Sequence, residues 1–265
     1  MFRSVAVGLL VLTACQYSER GKTCAVGPGL RTRPYTGANL SPNQLVLTFD
    51  GAPTSTMAAI GDYLFANGVQ GAFFVDGASI VGGQQKAVLA GLKGHAHLVG
   101  NRGYTQADLG AAHDLEREVR KTDQLILPYV TGDMFLLRPN GSISADTSTH
   151  LSSMGLSRYV GPIGWDVGAG TSTLVHDDDC WRQSLGVADC TNGYLTAIRA
   201  LGNGILRLHA DDFRSADLLR LLLPQLKTEL FTFIRLDSVA DIQDALLQSG
   251  GKPGTQGGAP GCSEY

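Results

Sequence analysis

The 265 residues are 43% apolar and 17% charged, which is ample material for one large core or two small domains. A formal net charge of −3 gives no electrostatic case for nucleic-acid binding. The 34 glycines point to many turns and close-packed loops rather than to disorder.

The chain opens with a single positive charge in Met1-Phe2-Arg3 and a short apolar run over residues 5–12. That run cannot span a bilayer, which needs about 20 apolar residues. Leu12-Thr13-Ala14-Cys15 resembles the lipobox of bacterial lipoprotein precursors, so residues 1–14 read as a signal peptide and Cys15 as the lipidated first residue. Membrane attachment through Cys15 and export to the bacterial cell envelope follow as expectations. Gln16 in place of Asp implies outer-membrane sorting in a Gram-negative source. A short buried N-terminal segment is the alternative reading of this stretch. Residues 15–43 read as a linker. The remaining cysteines are Cys24, Cys180, Cys190 and Cys262, which allow three pairings. The short, polar separation of Cys180 and Cys190 favours a local bridge, leaving Cys24 and Cys262 to tie the tails together. No C-x-x-C spacing supports a zinc site instead.

Beyond residue 40, strand and helix signals alternate. Apolar runs predict strands over residues 44–49, 71–75, 97–101, 135–138, 157–162, 204–209 and 231–236. Helical spacing predicts helices over residues 54–67, 84–93, 113–129, 191–201, 214–227 and 238–248, the first capped by Thr54 or Ser55. Strands separated by helices argue for an α/β fold with a parallel sheet covered on both faces. In a parallel barrel the chemistry lies at the C-terminal ends of the strands. The polar residues found there are Asp50, Asp76, Arg102, Arg138, Asp166 and His209. The Gly-rich residues 249–265 read as a flexible tail.

Five motifs appear in order across residues 44–248. They are Thr48-Phe49-Asp50-Gly51-Ala52-Pro53, the stretch from His97 to Leu109, Leu137-Arg138-Pro139, Trp165-Asp166-Val167-Gly168 through Thr171, and Gly204 through His209-Ala210. Together they resemble the NodB-type polysaccharide deacetylases, of carbohydrate esterase family 4. The resemblance implies a distorted (β/α) barrel of parallel strands surrounded by helices. It also implies removal of acetyl groups from N-acetylated glycans such as peptidoglycan or chitin, with a divalent metal such as zinc. It makes Asp50 the base, Arg138 its tuning residue and His209 the acid, and it puts the metal ligands at Gly51, Arg102 and Gln106. Gly has no side chain, Arg has no lone pair to donate, and Gln offers only a neutral oxygen. No cofactor is therefore expected. Without metal, water of pKa about 15.7 would have to be activated by a carboxylate of pKa about 3.9. Arg102 is expected to pair with Asp50 and fill the vacated position. Gly168 and Thr171 stand where the family has carboxylates, which predicts that His209 has lost its orienting partner.

Plainer readings stand beside these. His209 can be a packed, hydrogen-bonded histidine, and Asp50 with Arg138 a structural ion pair. The H-x-H of His95 and His97 is not read as a metal site. The run His176-Asp177-Asp178-Asp179 reads as a solvated acidic loop, with cation binding as the minor alternative. Trp165, Trp181 and Tyr104 suit either sugar stacking or packing. Three functions remain at this level: a non-catalytic glycan binder, a deacetylase with unusual ligands or none, and a structural or interaction lipoprotein.

Overall fold

The computed structural model describes residues 29–109, 114, 116–141, 143–168 and 176–254. Cys15, Cys24, Cys262 and residues 255–265 lie outside them. In chain order the elements begin with β1 (Leu30–Tyr35), β2 (Gln44–Gly51), α1 (Ser55–Ala66), β3 (Ala72–Val75), α2 (Gly83–Gly94) and β4 (Leu98–Asn101). They continue through α3 (Lys121–Ile126), α4 (Ala145–Leu151), β5 (Gly161–Ile163), α5 (Asp177–Arg182) and α6 (Val187–Leu201). β6 (Gly204–His209), α7 (Phe213–Thr228), β7 (Thr232–Phe233) and α8 (Ala240–Gln248) complete the chain.

β2 is the hub. It pairs in parallel with β3, with β6 and, at its start, with β7, while β4 extends the sheet beyond β3. β1 and β5 form a second parallel pair. Single bridges at Asn101–Leu137, Leu136–Val160 and Val167–Leu206 carry the strands round and back to β6. The expected distorted (β/α) barrel is the result.

Alternation along the strands separates two cores. Leu45, Leu47 and Phe49 of β2, with Leu206 and Leu208 of β6, pack outward against the helices. Val46, Ala72, Phe74, Leu98, Leu136 and Ile205 form the inner cluster. Continuing the inner stripe by twos leads to Thr48 and Asp50 on β2, to Arg138 beyond Leu136, and to Arg207 and His209 on β6. The polar residues at this end of the barrel therefore follow from strand period as much as from loop position.

Several helix boundaries match expectation: α1 is capped by the Thr54 side chain, which accepts from the Met57 N–H. Others change. Residues 30–35, expected in a linker, form β1, because Leu30 and Tyr35 are buried and the strand completes the edge of β5. The single helix expected over residues 113–129 is instead a π-helical turn (Glu116–Arg120), then α3, then a tight turn (Leu127–Tyr129) containing Pro128, which has no N–H to continue a helix. The π turn brings Glu118 inward, where its carboxylate accepts from the Tyr104 and Thr105 N–H groups and pins the loop that carries Gln106. The strand expected over residues 135–138 is reduced to single bridges. α4 and α5 have no counterpart in the sequence reading. Of the expected disulfides, Cys180–Cys190 is formed and joins α5 to α6. Closing a loop with a sequence separation of 10 stabilises the fold by about 3 kcal/mol in the chain-entropy account.

Candidate functional site

Asp50, the last residue but one of β2, is almost wholly buried, and three guanidinium groups converge on it. Arg138 Nη1 donates to Asp50 Oδ1 at 2.9 Å. Arg207 Nε lies 2.9 Å from Asp50 Oδ2, and Arg102 Nε lies 3.7 Å from the same oxygen. Burial alone would raise the Asp50 carboxyl, but Arg138, Arg207 and Arg102 together hold it below the ordinary carboxylate range. A carboxylate held so firmly ionised is a weak base.

Arg138 is the most committed of the three. Its Nε donates to the Ile163 carbonyl, Nη2 to the Gly164 carbonyl, and Nη1 to Thr48 as well as to Asp50. Burial pulls its pKa down to about 10 against the opposing charge of Asp50, so it remains a cation at neutral pH. Arg102 turns most of its fork elsewhere: Nη1 lies 3.2 and 3.3 Å from the two oxygens of Asp76, and Gln106 Nε2 donates to Asp76 at 2.7 Å. The expected Arg102–Asp50 pairing is present as a long ion pair, with Asp76 as the nearer partner. Burial raises Asp76, opposed by Arg102 and Gln106.

Opposite Asp50 in the β2–β6 register stands His209. The expectation that it lacks an orienter is corrected by the structure. Asp177, fully buried, accepts from His209 Nδ1 at 2.8 Å, from the His209 backbone N–H at 2.7 Å and from the Ser215 hydroxyl at 2.7 Å. The presumed solvated loop is the first turn of α5, where three aspartates suit the positive end of the helix dipole and one of them turns inward. The family-like position was closed for a steric reason. Gly168 has φ +120, and a Cβ there would lie 2.2 Å from the Arg207 carbonyl oxygen.

At the outer nitrogen, Arg207 Nη2 lies 2.8 Å from His209 Nε2, and Asp178 Oδ2 lies 3.1 Å away. Neutral His209 accepts from Arg207, whereas charged His209 donates to Asp178. Burial opposes that charge, but the hydrogen bond and charge of Asp177 outweigh it and raise the His209 pKa. Sequence reading missed Arg207, although it sits two residues before His209 and so shares its face.

The remaining candidates divide. Trp165 walls the cleft, with the Arg207 guanidinium 4.3 Å above its ring. Trp181 is packed, its indole donating to Ser215, and Tyr104 lies under the Lys121 ammonium at 4.0 Å. Asp166 stays outside the cleft and ties β6 to Gly37 by accepting from the Ile205 and Gly37 N–H groups. His97 is buried between the Gly71 N–H and the Gly61 carbonyl, a purely structural role.

A metal does not fit the family's positions here. Gly51 contributes nothing, Arg102 brings a cation, and Gln106 has its amide nitrogen on Asp76. Even an added carboxylate is obstructed: Gly51 has φ +141, and a Cβ there would meet the Asp211 carboxylate at 3.1–3.3 Å. Elsewhere Asp177, Asp178 and His209 place ligand atoms within 4.8 Å of one another. Both Asp177 oxygens already accept hydrogen bonds, however, and Arg207 adds its own positive charge at His209 Nε2. We derive no chemical step through a metal.

A family model described as polysaccharide deacetylase matches residues 37–159. Over those residues the chain is similar to the polysaccharide deacetylases. No curated protein matches it by sequence. A solved peptidoglycan N-acetylglucosamine deacetylase superposes with a TM-score of 0.61 at 20% identity, covering 78% of this chain and 91% of its own. The catalytic domain of a peptidoglycan N-acetylglucosamine deacetylase from Eubacterium rectale gives 0.59 at 14%, covering 77% and 92%. A CE4 family pseudoenzyme from Bacillus anthracis gives 0.59 at 18%, covering 79% and 69%. At these identities the likeness establishes the fold alone. Within the polysaccharide deacetylase fold, the site differs from a metal centre in having arginine and glutamine where the resemblance implies histidines.

Proposed function

We propose that this chain is an envelope lipoprotein that binds N-acetylated glycans without deacetylating them. One observation carries the reading: the arginines around Asp50 and His209 occupy both members of the acid–base pair. Asp50 is neutralised by Arg138 and Arg207, and the His209 Nε2 that would protonate a leaving amine is engaged in either state, accepting from Arg207 when neutral and donating to Asp178 when charged. Metal chemistry would supply the water-derived nucleophile in the family, and the residues at the family's metal positions do not suit a cation. A CE4 family pseudoenzyme shares this fold, so non-catalytic versions of it exist.

The test is mass spectrometry of N-acetylglucosamine oligomers incubated with the chain, with zinc or cobalt in one arm and a chelator in the other. No loss of acetyl units is expected in either arm. Metal-dependent loss would mean that other ligands serve, and loss in both arms that disappears in Asp50→Ala would establish metal-free hydrolysis. That second reading, residual hydrolysis, has one feature in its favour: His209 keeps a carboxylate orienter in Asp177.

Attachment to the envelope rests on the lipobox ending at Cys15. Radiolabelled palmitate should enter the wild-type chain and not Cys15→Ala, which should become soluble. Equal labelling of both would end the lipoprotein reading.

A further inference from the structure

The cleft over Asp50 has a volume of about 280 Å³ and is lined by Arg102, Arg138 and Arg207 with a single acid, Asp50. Three positive charges thus face one negative charge in its walls. Asp76, paired with Arg102 from behind, answers one more and leaves a net positive charge of one. Asp178 and Asp211 stand by His209 and Gly51 and are not among the walls.

The cations are unequally used. Arg138 spends its fork on the barrel, whereas Arg102 and Arg207 each keep 12% side-chain exposure. Arg207 Nε is buried with no hydrogen-bond acceptor in acceptable geometry, although Asp50 is close enough for an ion pair. Clustered guanidinium groups in a poorly solvated cleft repel one another, and a second anion would relieve that repulsion. Arg forks match carboxylates in two-point geometry. The other walls are apolar and flat: Trp165 on one side, with Pro34, Pro139 and Pro162. They suit the face of a sugar ring, and the volume suits one ring, near the lower end of ligand pockets at roughly 300 Å³.

We propose that this cleft selects an acidic glycan, seating a sugar carboxylate between Arg102 and Arg207. The inference deepens the glycan-binding reading and rests on it. The carboxylate belongs either to a uronic acid or to a lactyl ether on a hexosamine, which share the same anionic chemistry.

The experiment is isothermal titration calorimetry of the full chain with four probes: a neutral N-acetylglucosamine tetramer, an N-acetylated oligosaccharide containing glucuronate, one containing a lactyl-bearing hexosamine, and inorganic phosphate. One or both acidic sugars should bind about tenfold or more tightly than the neutral tetramer, as expected for a charge-assisted Arg–carboxylate pair. The better acidic sugar identifies the source of the carboxylate. Raising salt from about 0.02 to about 0.3 M should weaken the acidic probe selectively. This wild-type measurement needs no variant. Arg102→Gln with Arg207→Gln should remove the preference, so that acidic and neutral sugars bind alike, and Arg207→Lys in place of Arg207→Gln should restore part of it. Equal binding of neutral and acidic sugars overturns the carboxylate inference and leaves the glycan reading intact. Phosphate binding without any sugar binding, or no binding at all, overturns both.

Discussion

Asp50→Ala is expected to lower folding stability by about 3–5 kcal/mol at neutral pH, because it strands buried cations that now face a carboxylate. Among the described residues, Arg138 loses its only charged partner at hydrogen-bonding distance, and Arg207 loses the one acid beside its Nε. Asp50→Asn should cost less, since its amide oxygen still accepts from Arg138. The pH dependence has a definite sign. The folded-state carboxyl is held below its ordinary value, with burial opposing and the arginines prevailing. Its stabilising contribution is therefore present above the unfolded pKa of about 3.9 and is lost as pH falls through the lower folded value. Denaturant titrations of wild type and Asp50→Asn should consequently converge in strong acid. A stability gap that is unchanged from pH 7 down to the acid limb would refute the ion-pair account.

Asp177→Ala should have a comparable effect, about 3 kcal/mol or more, since it leaves the His209 backbone N–H, its Nδ1–H and the Ser215 hydroxyl buried without their acceptor. Its sharper signature is in the titration of His209. In the wild type, burial opposes the imidazolium but Asp177 more than compensates, so the folded pKa lies above the ordinary 6.5. That contribution to stability is complete below about pH 6.5 and disappears as pH rises through the folded value. Without Asp177, burial and the neighbouring Arg207 remain, and His209 should titrate below 6.5. Two-dimensional NMR of the imidazole protons reads this directly. A His209 that still titrates above the ordinary value in the variant would mean that Asp178 or another acid holds the charge.

Much of the barrel was legible because buried parallel strands leave unbroken apolar runs, as in residues 44–49 and 204–209. Asp50, Arg138, Arg102 and His209 were legible because they end those strands. What escaped notice did so for physical reasons. In β1 the buried Leu30 and Tyr35 are separated by Arg31, Arg33 and Pro34, so the strand shows no clean apolar period, and the strand expected over residues 157–162 is formed later, as β5 over Gly161–Ile163. Asp177 looked like one of three solvated acids, because nothing in a run of aspartates tells which one a helix turn will rotate inward. Arg207 was in principle readable: alternation from Ile205 to His209 puts it on the inner face. The mistake was to count polar residues only at the strand tip. Gly168 was read as a loss, yet the space beside it was taken by the Arg207 carbonyl, and the orienting carboxylate came from α5 instead.

Because Arg207 and His209 belong to one strand and one face of it, their backbone positions are fixed relative to each other by the β2–β6 ladder. No hinge or lid can part them. A visiting ligand that draws the Arg207 guanidinium away uncovers His209 Nε2 on that side, with Asp178 still beside it. Entry to the cleft is consequently governed by competition for one guanidinium group. Occupancy and the exposure of His209 should rise and fall together, as two readings of a single rotamer.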